Sequence, residues 1–206
     1  KSVVLKGRKR LLGPPIRVAA ALSENYLHAK YDIHSWNIKN GLQTNIIYAI
    51  SKSARGGLWL ATYRGLSYYD GHSFEHYTTK QGLPSNNIKG VLEDSQGNVW
   101  IGFSILGVAK LDGDSLTMFG NEVAEYFNFG FQEDQKGNVW WGSTTGLYRY
   151  SEGRFTKYTT NEGLLENRLM ALTVDQAGNI WTGSRFSGIS KFDGKNFTNY
   201  NQNQGL

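Results

Sequence analysis

The chain has 206 residues, with 22 Lys and Arg against 17 Asp and Glu, 25 Gly, three Pro and no Cys. The absence of Cys excludes disulfides, thiolate metal sites and a Cys nucleophile, and no run of 18 apolar residues is present to cross a membrane as a helix. The formal charge of +5 is unevenly placed: residues 1–23 carry Lys1, Lys6, Arg8, Lys9, Arg10 and Arg17 with no acid, while the remainder is nearly neutral.

Residues 1–30 are expected to be either a basic leader or a degenerate blade of the repeat described below, with Ile16 to Leu22 as its strand. A basic arm can bind nucleic acid or anionic lipid. No nucleic-acid motif accompanies this one, so the plainer reading is a solvated linker and no nucleic-acid partner is expected. The first residue is Lys1, and no signal-peptide pattern follows it. Tyr31 to Trp36 reads as an outer strand without its own sheet, within residues 31–40, because Trp36 stands before Gly41 as Tyr77 stands before Gly82.

From Gly41 onward the sequence repeats. Trp59, Trp100, Trp140 and Trp181 recur at a spacing of 40–41 residues, within strings such as Gly97-Asn98-Val99-Trp100-Ile101-Gly102 and Gly178-Asn179-Ile180-Trp181-Thr182-Gly183. Units of that length built from short strands are propeller blades. The second copy shows why each unit holds four strands. Ile88 to Leu92 is a first strand, and Asp94-Ser95-Gln96-Gly97-Asn98 is a turn. Val99 to Gly102 is a second strand and Val108 to Leu111 a third. Asp112-Gly113 makes a hairpin into a fourth, Ser115 to Phe119.

The fold class is therefore all-β: four four-stranded antiparallel blades at 41–81, 82–121, 122–162 and 163–204, an incomplete part of a larger propeller, with a degenerate fifth blade as the alternative use of residues 1–30. Small residues at Ala49, Gly90, Gly130 and Ala171 fit inner strands where blades crowd together, and the Trp residues are expected to fill the gaps between sheets. Aromatic residues three apart in the fourth strands, such as Phe74 and Tyr77, would face opposite sides unless a bulge intervenes. Gly205-Leu206 reads as the opening of another repeat, so the chain is expected to be a fragment.

Gly82-Leu83-Pro84-Ser85-Asn86-Asn87-Ile88, then Asp94-x-x-Gly97-Asn98-Val99-Trp100-Ile101-Gly102, then Gly107-Val108-x-Lys110-Leu111-Asp112-Gly113, resembles the two-component regulator propeller repeat. The resemblance runs over residues 41–206. The third copy departs from it, with Glu122-Val123 for the opening Gly-Leu and Tyr126 for Asn. It implies the sensor region of a hybrid histidine kinase or related regulator, on the extracytoplasmic side of a membrane. It also implies partners in further propeller and kinase segments of the same chain, and repeats linked to sensing glycans or their breakdown products.

Propeller topology sorts the loops between two faces. The turns joining first to second and third to fourth strands are monotonous, which suits folding. The second-to-third loops differ between blades: Thr62-Tyr63-Arg64, Phe103-Ser104-Ile105-Leu106, Ser143-Thr144-Thr145 and Ser184-Arg185-Phe186-Ser187. Varied loops on rigid strands suit recognition. Tyr63, Arg64, Tyr126, Arg185, Phe186 and Asn86 are the candidate contacts for a carbohydrate or other small ligand, the aromatics as flat faces and the arginines as planar donors. Each has a plainer reading: Asn45, Asn86 and Asn167 as turn caps, Tyr126 as filler, and the arginines as bridges to backbone carbonyls.

No catalytic motif, cofactor fingerprint or metal cluster is expected. His72 and His76 lack further ligands around them, and the Asp-x-x-Gly-Asn turns lack the ligand run of a calcium loop. The reading is a non-enzymatic sensor. The alternative is an interaction propeller that self-associates through an open blade edge.

Overall fold

In the computed structural model, residues 2–3, 7–20, 35–119 and 127–205 are described. Three short strands open the chain: β1 (Ser2–Val3), β2 (Arg8–Leu11) and β3 (Ile16–Ala19). The first repeat forms β4 (Ile47–Ser53), β5 (Gly57–Thr62), β6 (Gly65–Tyr69) and β7 (Ser73–Tyr77). The second forms β8 (Ile88–Glu93), β9 (Val99–Phe103), β10 (Gly107–Asp112) and β11 (Ser115–Phe119). The third forms β12 (Phe127–Glu133), β13 (Val139–Ser143), β14 (Leu147–Ser151) and β15 (Arg154–Tyr158). The fourth forms β16 (Leu169–Val174), β17 (Ile180–Ser184), β18 (Ile189–Phe192) and β19 (Phe197–Tyr200).

Each repeat is one antiparallel sheet in chain order, and the first strands β4, β8, β12 and β16 touch one another in succession. That is a propeller arc of four blades with the first strands innermost. The gaps between blades are the core. Trp59, Leu66 and Tyr68 pack against Ile88, Val91 and Leu111 between blades one and two. Trp100 and Val108 pack against Phe131, Trp141 and Tyr148 between two and three. Trp140 and Leu147 pack against Leu169, Ile180 and Phe192 between three and four. The fourth-strand pairings β6–β7, β10–β11, β14–β15 and β18–β19 are in regular register. Their aromatics do face opposite sides: Phe155 joins the gap before its blade and Tyr158 the gap after it.

The register shifts lie instead in the innermost strands. Tyr48, Lys89 and Met170 are each skipped in the pairing with the second strand, directly before Ala49, Gly90 and Ala171. Blade three is shifted twice, between Phe127 and Phe129 and between Phe129 and Phe131. An extra unpaired residue bends the strand and redirects its side chains.

Among its described residues the leader builds no inner strand. Ile16–Ala19 is a strand, but it pairs antiparallel with β7 on the outer edge of blade one; β2 pairs likewise with β11 and β1 with β15. Three blades thus gain a fifth, outermost strand from one basic strap. Leu12 of the strap is buried and its N–H donates to Asp114 O at 2.9 Å. Arg10 Nη1 donates to Gly82 O at 3.0 Å, and Arg17 pairs with Glu75. The exposed Arg8, Lys9 and Arg10 line the resulting edge, where charge discourages further strand addition. Of the outer strand expected at Tyr31 to Trp36, residues 31–34 lie outside the described residues; the chain from Ser35 runs into a turn at 38–41, with Asn40 Nδ2 donating to Ser35 O at 2.8 Å.

Candidate functional site

The two faces of the arc are built by different side-chain chemistry. On the turn face, one carboxylate organises each blade. Asp94 Oδ1 accepts from Gln96 N (3.0 Å), Asn98 N (2.8 Å) and Asn98 Nδ2 (3.0 Å), and its Oδ2 accepts from Trp100 Nε1 (2.8 Å). Asp134 and Asp175 hold Trp140 and Trp181 in the same way, each at 2.8 Å. At Asp134 and Asp175 these donors favour the ionised form. They hold Asp175 down to about 2, led by the Trp181 indole, and they lower Asp134 although its burial pulls upward. The carboxylate oxygens of these turns thus accept from N–H donors.

Blade one lacks this Asp, and Ser53 stands in its place. Glu93 from blade two crosses the gap instead, accepting from Trp59 Nε1 (2.6 Å), Ser53 Oγ (2.6 Å) and Ala54 N (3.0 Å). Glu133 makes the equivalent bridge to Ser95 N (2.8 Å) and Ser95 Oγ (2.6 Å). The two inner-strand glutamates therefore latch neighbouring blades together.

The opposite face carries the blade-to-blade connections. Two single-turn 3-10 helices, Thr79–Gln81 and Thr160–Glu162, are closed by capping boxes from Thr78 and Thr159. Asn86 Oδ1 accepts from Thr79 N (2.8 Å), Asn167 Oδ1 from Thr160 N (2.9 Å) and Asn45 Oδ1 from Ile38 N (3.0 Å). Each asparagine carbonyl thus ties down its own connection. The second-to-third loops meet these connections beside the inner strands: Tyr63 N donates to Ile46 O, Ser104 N to Asn87 O and Arg185 N to Arg168 O, at 3.3, 3.1 and 3.1 Å.

The candidate contacts fall into two groups. Arg64 and Asn86 line one cleft of about 440 Å³ with Gln43, Thr79, Lys80 and Ile16. Arg185 and Phe186 form a second group on blade four. The Arg185 guanidinium lies 5.0 Å from the Phe186 ring centroid, and Phe186 is 78% exposed. Phe186 N donates to Glu166 Oε2 at 3.1 Å. Burial pulls the Glu166 carboxyl upward, but this bond and those from Ser187 and Ser184 outweigh it and leave it lowered. Tyr63 is half exposed at the loop of blade one, and Tyr126 lies outside the described residues. Sequence reasoning missed Glu166, Tyr48 and Lys89. The one signal for the last two was their place directly before Ala49 and Gly90.

His76 is buried in blade one. Its Nδ1 is 2.8 Å from Ser67 Oγ and its Nε2 is 2.9 Å from Gly41 O. A carbonyl can only accept, so Nε2 carries the proton and Nδ1 accepts from the serine. Burial depresses its pKa, against the opposing pull of Gly41 O.

Residues 82–104 match the family model for the two component regulator propeller, so blade two is a repeat of the type its motifs resemble. No curated protein matches the chain. Among solved structures, the chain is similar to the extracellular domain of BT3049 from B. thetaiotaomicron, described as a hybrid two component system. The TM-score is 0.69 at 23% identity, over 78% of this chain and 23% of that one. It is similar to the extracellular domain of BT4673 from B. thetaiotaomicron, described as a one component system, with a TM-score of 0.68 at 20% identity, over 82% of this chain and 26% of that one. It is also similar to virginiamycin B lyase from Staphylococcus aureus, with a TM-score of 0.59 at 16% identity, over 75% of this chain and 55% of that one. These likenesses establish the shared propeller fold. The chain spans about a quarter of the length of the first two.

Proposed function

We propose that this chain is part of the sensing propeller of a two-component regulatory protein, held on the extracytoplasmic side of a membrane, and that it binds a glycan-derived or other small ligand without transforming it. The observation that carries this reading is the division of labour between the faces. The turn-face carboxylates are consumed in holding indoles and turns. The opposite face gathers the loops that differ between blades, with Arg64 and Asn86 in one cleft and Arg185 beside exposed Phe186. The regulator-repeat match in blade two and the likeness to extracellular domains of regulatory systems support it.

The lyase among similar folds raises catalysis as a competing reading. Against it, the inner-strand carboxylates Glu93 and Glu133 are bonded to the preceding blades' turns. Neither is free for acid–base work at the axis.

A thermal-shift screen of the chain against neutral and acidic oligosaccharides tests the proposal. At least one class should raise the midpoint in a saturable way, with the rise diminished in Arg64→Ala or Arg185→Ala. A screen with no shift, or shifts identical in both variants, contradicts it. Turnover of the bound saccharide would contradict the non-enzymatic part.

A further inference from the structure

The innermost strands hold a cation that neither the folding scheme nor the loop contacts use. Lys89 is skipped in the pairing of β8 with β9, as Tyr48 is in β4 with β5. The two meet across the gap between blades one and two, with Lys89 Nζ 3.3 Å from the centroid of the Tyr48 ring. Tyr48 stays 40% exposed and Lys89 is half-buried, so the pair sits on the inner wall open to solvent. Among the described residues the one ion pair is Arg17 with Glu75, and none of their carboxylates pairs with this ammonium.

Folding does not require a lysine there. The corresponding position is Tyr48 in blade one and Met170 in blade four, whereas the next residue is always small: Ala49, Gly90 or Ala171. The position varies within one molecule where its neighbours do not. It also lies next to the loop mouth, since Asn87 O, two residues before Lys89, accepts from Ser104 N. Arg168 and Arg185 flank the same face on blade four and are exposed. The carboxylate there, Glu166, is already bonded to Phe186 N.

We propose that Lys89, seated on Tyr48, is an oxyanion-binding subsite on the inner wall, and that the ligand of this propeller carries a carboxylate or sulfate group that it engages. The proposal rests on the ligand-sensing reading above and names the chemistry of its ligand. A ring face beneath an ammonium holds the charge in place without neutralising it. A ligand oxyanion then supplies the charge-assisted partner that the described residues do not. Attraction of this kind weakens with added salt.

Calorimetric titration of the chain with D-glucuronate, inorganic sulfate and uncharged D-glucose tests it. Glucuronate or sulfate should bind about tenfold or more tightly than glucose, a difference set by one charge-assisted contact. Lys89→Gln should erase that preference while Lys89→Arg keeps most of it, and unchanged thermal midpoints show that both variants fold. Failure of all probes to bind, or equal preference in Lys89→Gln, overturns the proposal. A neutral saccharide whose binding is lost in Arg185→Ala but unaltered in Lys89→Gln would overturn the oxyanion subsite and leave the sensing reading standing.

Discussion

Trp59, Trp100 and Trp140 are each held twice, by packing in the gap between blades and by a carboxylate on the indole nitrogen. Trp100 is fully buried and its ring lies 4.7 Å from Tyr150 and 6.3 Å from Trp141 by centroid. Trp100→Ala should cost about 3–5 kcal/mol in denaturant unfolding, as for large aromatic truncations in packed cores. Blade one offers a sharper test, because Ser53 and Glu93 together replace the usual Asp. Ser53→Asp alone would set two carboxylates on one indole and should destabilise. Ser53→Asp with Glu93→Gln should recover part of that loss, so a double-mutant cycle should show non-additivity. Additive effects would mean that the two side chains do not share the site. His76 sets a pH dependence. Its folded pKa is depressed below about 6.5, so the unfolded chain binds the extra proton first. Stability should be full above that value and fall as pH drops through it toward the folded pKa. His76→Gln should flatten the thermal midpoint between about pH 7 and 5.

At the scale of strands, two devices lock the blades. The glycine opening the third strand is one. Gly146 has φ +143, and a Cβ there would lie 2.4 Å from Tyr158 O, the last carbonyl of the neighbouring strand. Gly146→Ala should therefore lower the thermal midpoint more than Gly153→Ala, whose Cβ would meet no atom within 4 Å although its φ of +78 is also positive. The other device is the basic strap. Deleting residues 1–12 removes β1, β2 and buried Leu12, and should speed hydrogen exchange in β11 and β15 while leaving β19 unchanged, since among the described residues blade four has no strap strand. The blades were legible because their turns and indoles recur with fixed spacing, and recurrence reveals a local rule. The strap was not. Arg8-Lys9-Arg10-Leu11 has the composition of a solvated linker, and its partners, Met118 down to Ser115, lie more than a hundred residues away. The skipped residues were hidden for a related reason: an extra residue in a strand leaves the apolar pattern almost intact while turning Lys89 toward Tyr48. Of the candidate contacts, Arg64 and Asn86 proved to share a cleft, and the capping use of Asn86 was foreseeable from its recurrence with Asn45 and Asn167.

Across the whole arc, equivalent positions show which surfaces another blade would cover. Val91 and Phe131, which face the preceding blade, are each 4% exposed, whereas Ile50 at the same position in blade one is 62% exposed. The face of blade one that carries Ile50 is thus apolar and open there. The chain alone should show concentration-dependent association by light scattering, reduced by Ile50→Lys; a monomer at all concentrations would count against blade packing on this face. The central claim is that one face of the arc folds the molecule and the opposite face meets the ligand. Hydrogen–deuterium exchange with the saccharide giving the largest thermal shift tests it most directly. The account predicts slowed exchange in residues 62–65, 86–89 and 184–188, with turns 53–57, 94–98 and 134–138 unchanged. Protection confined to those turns would contradict it.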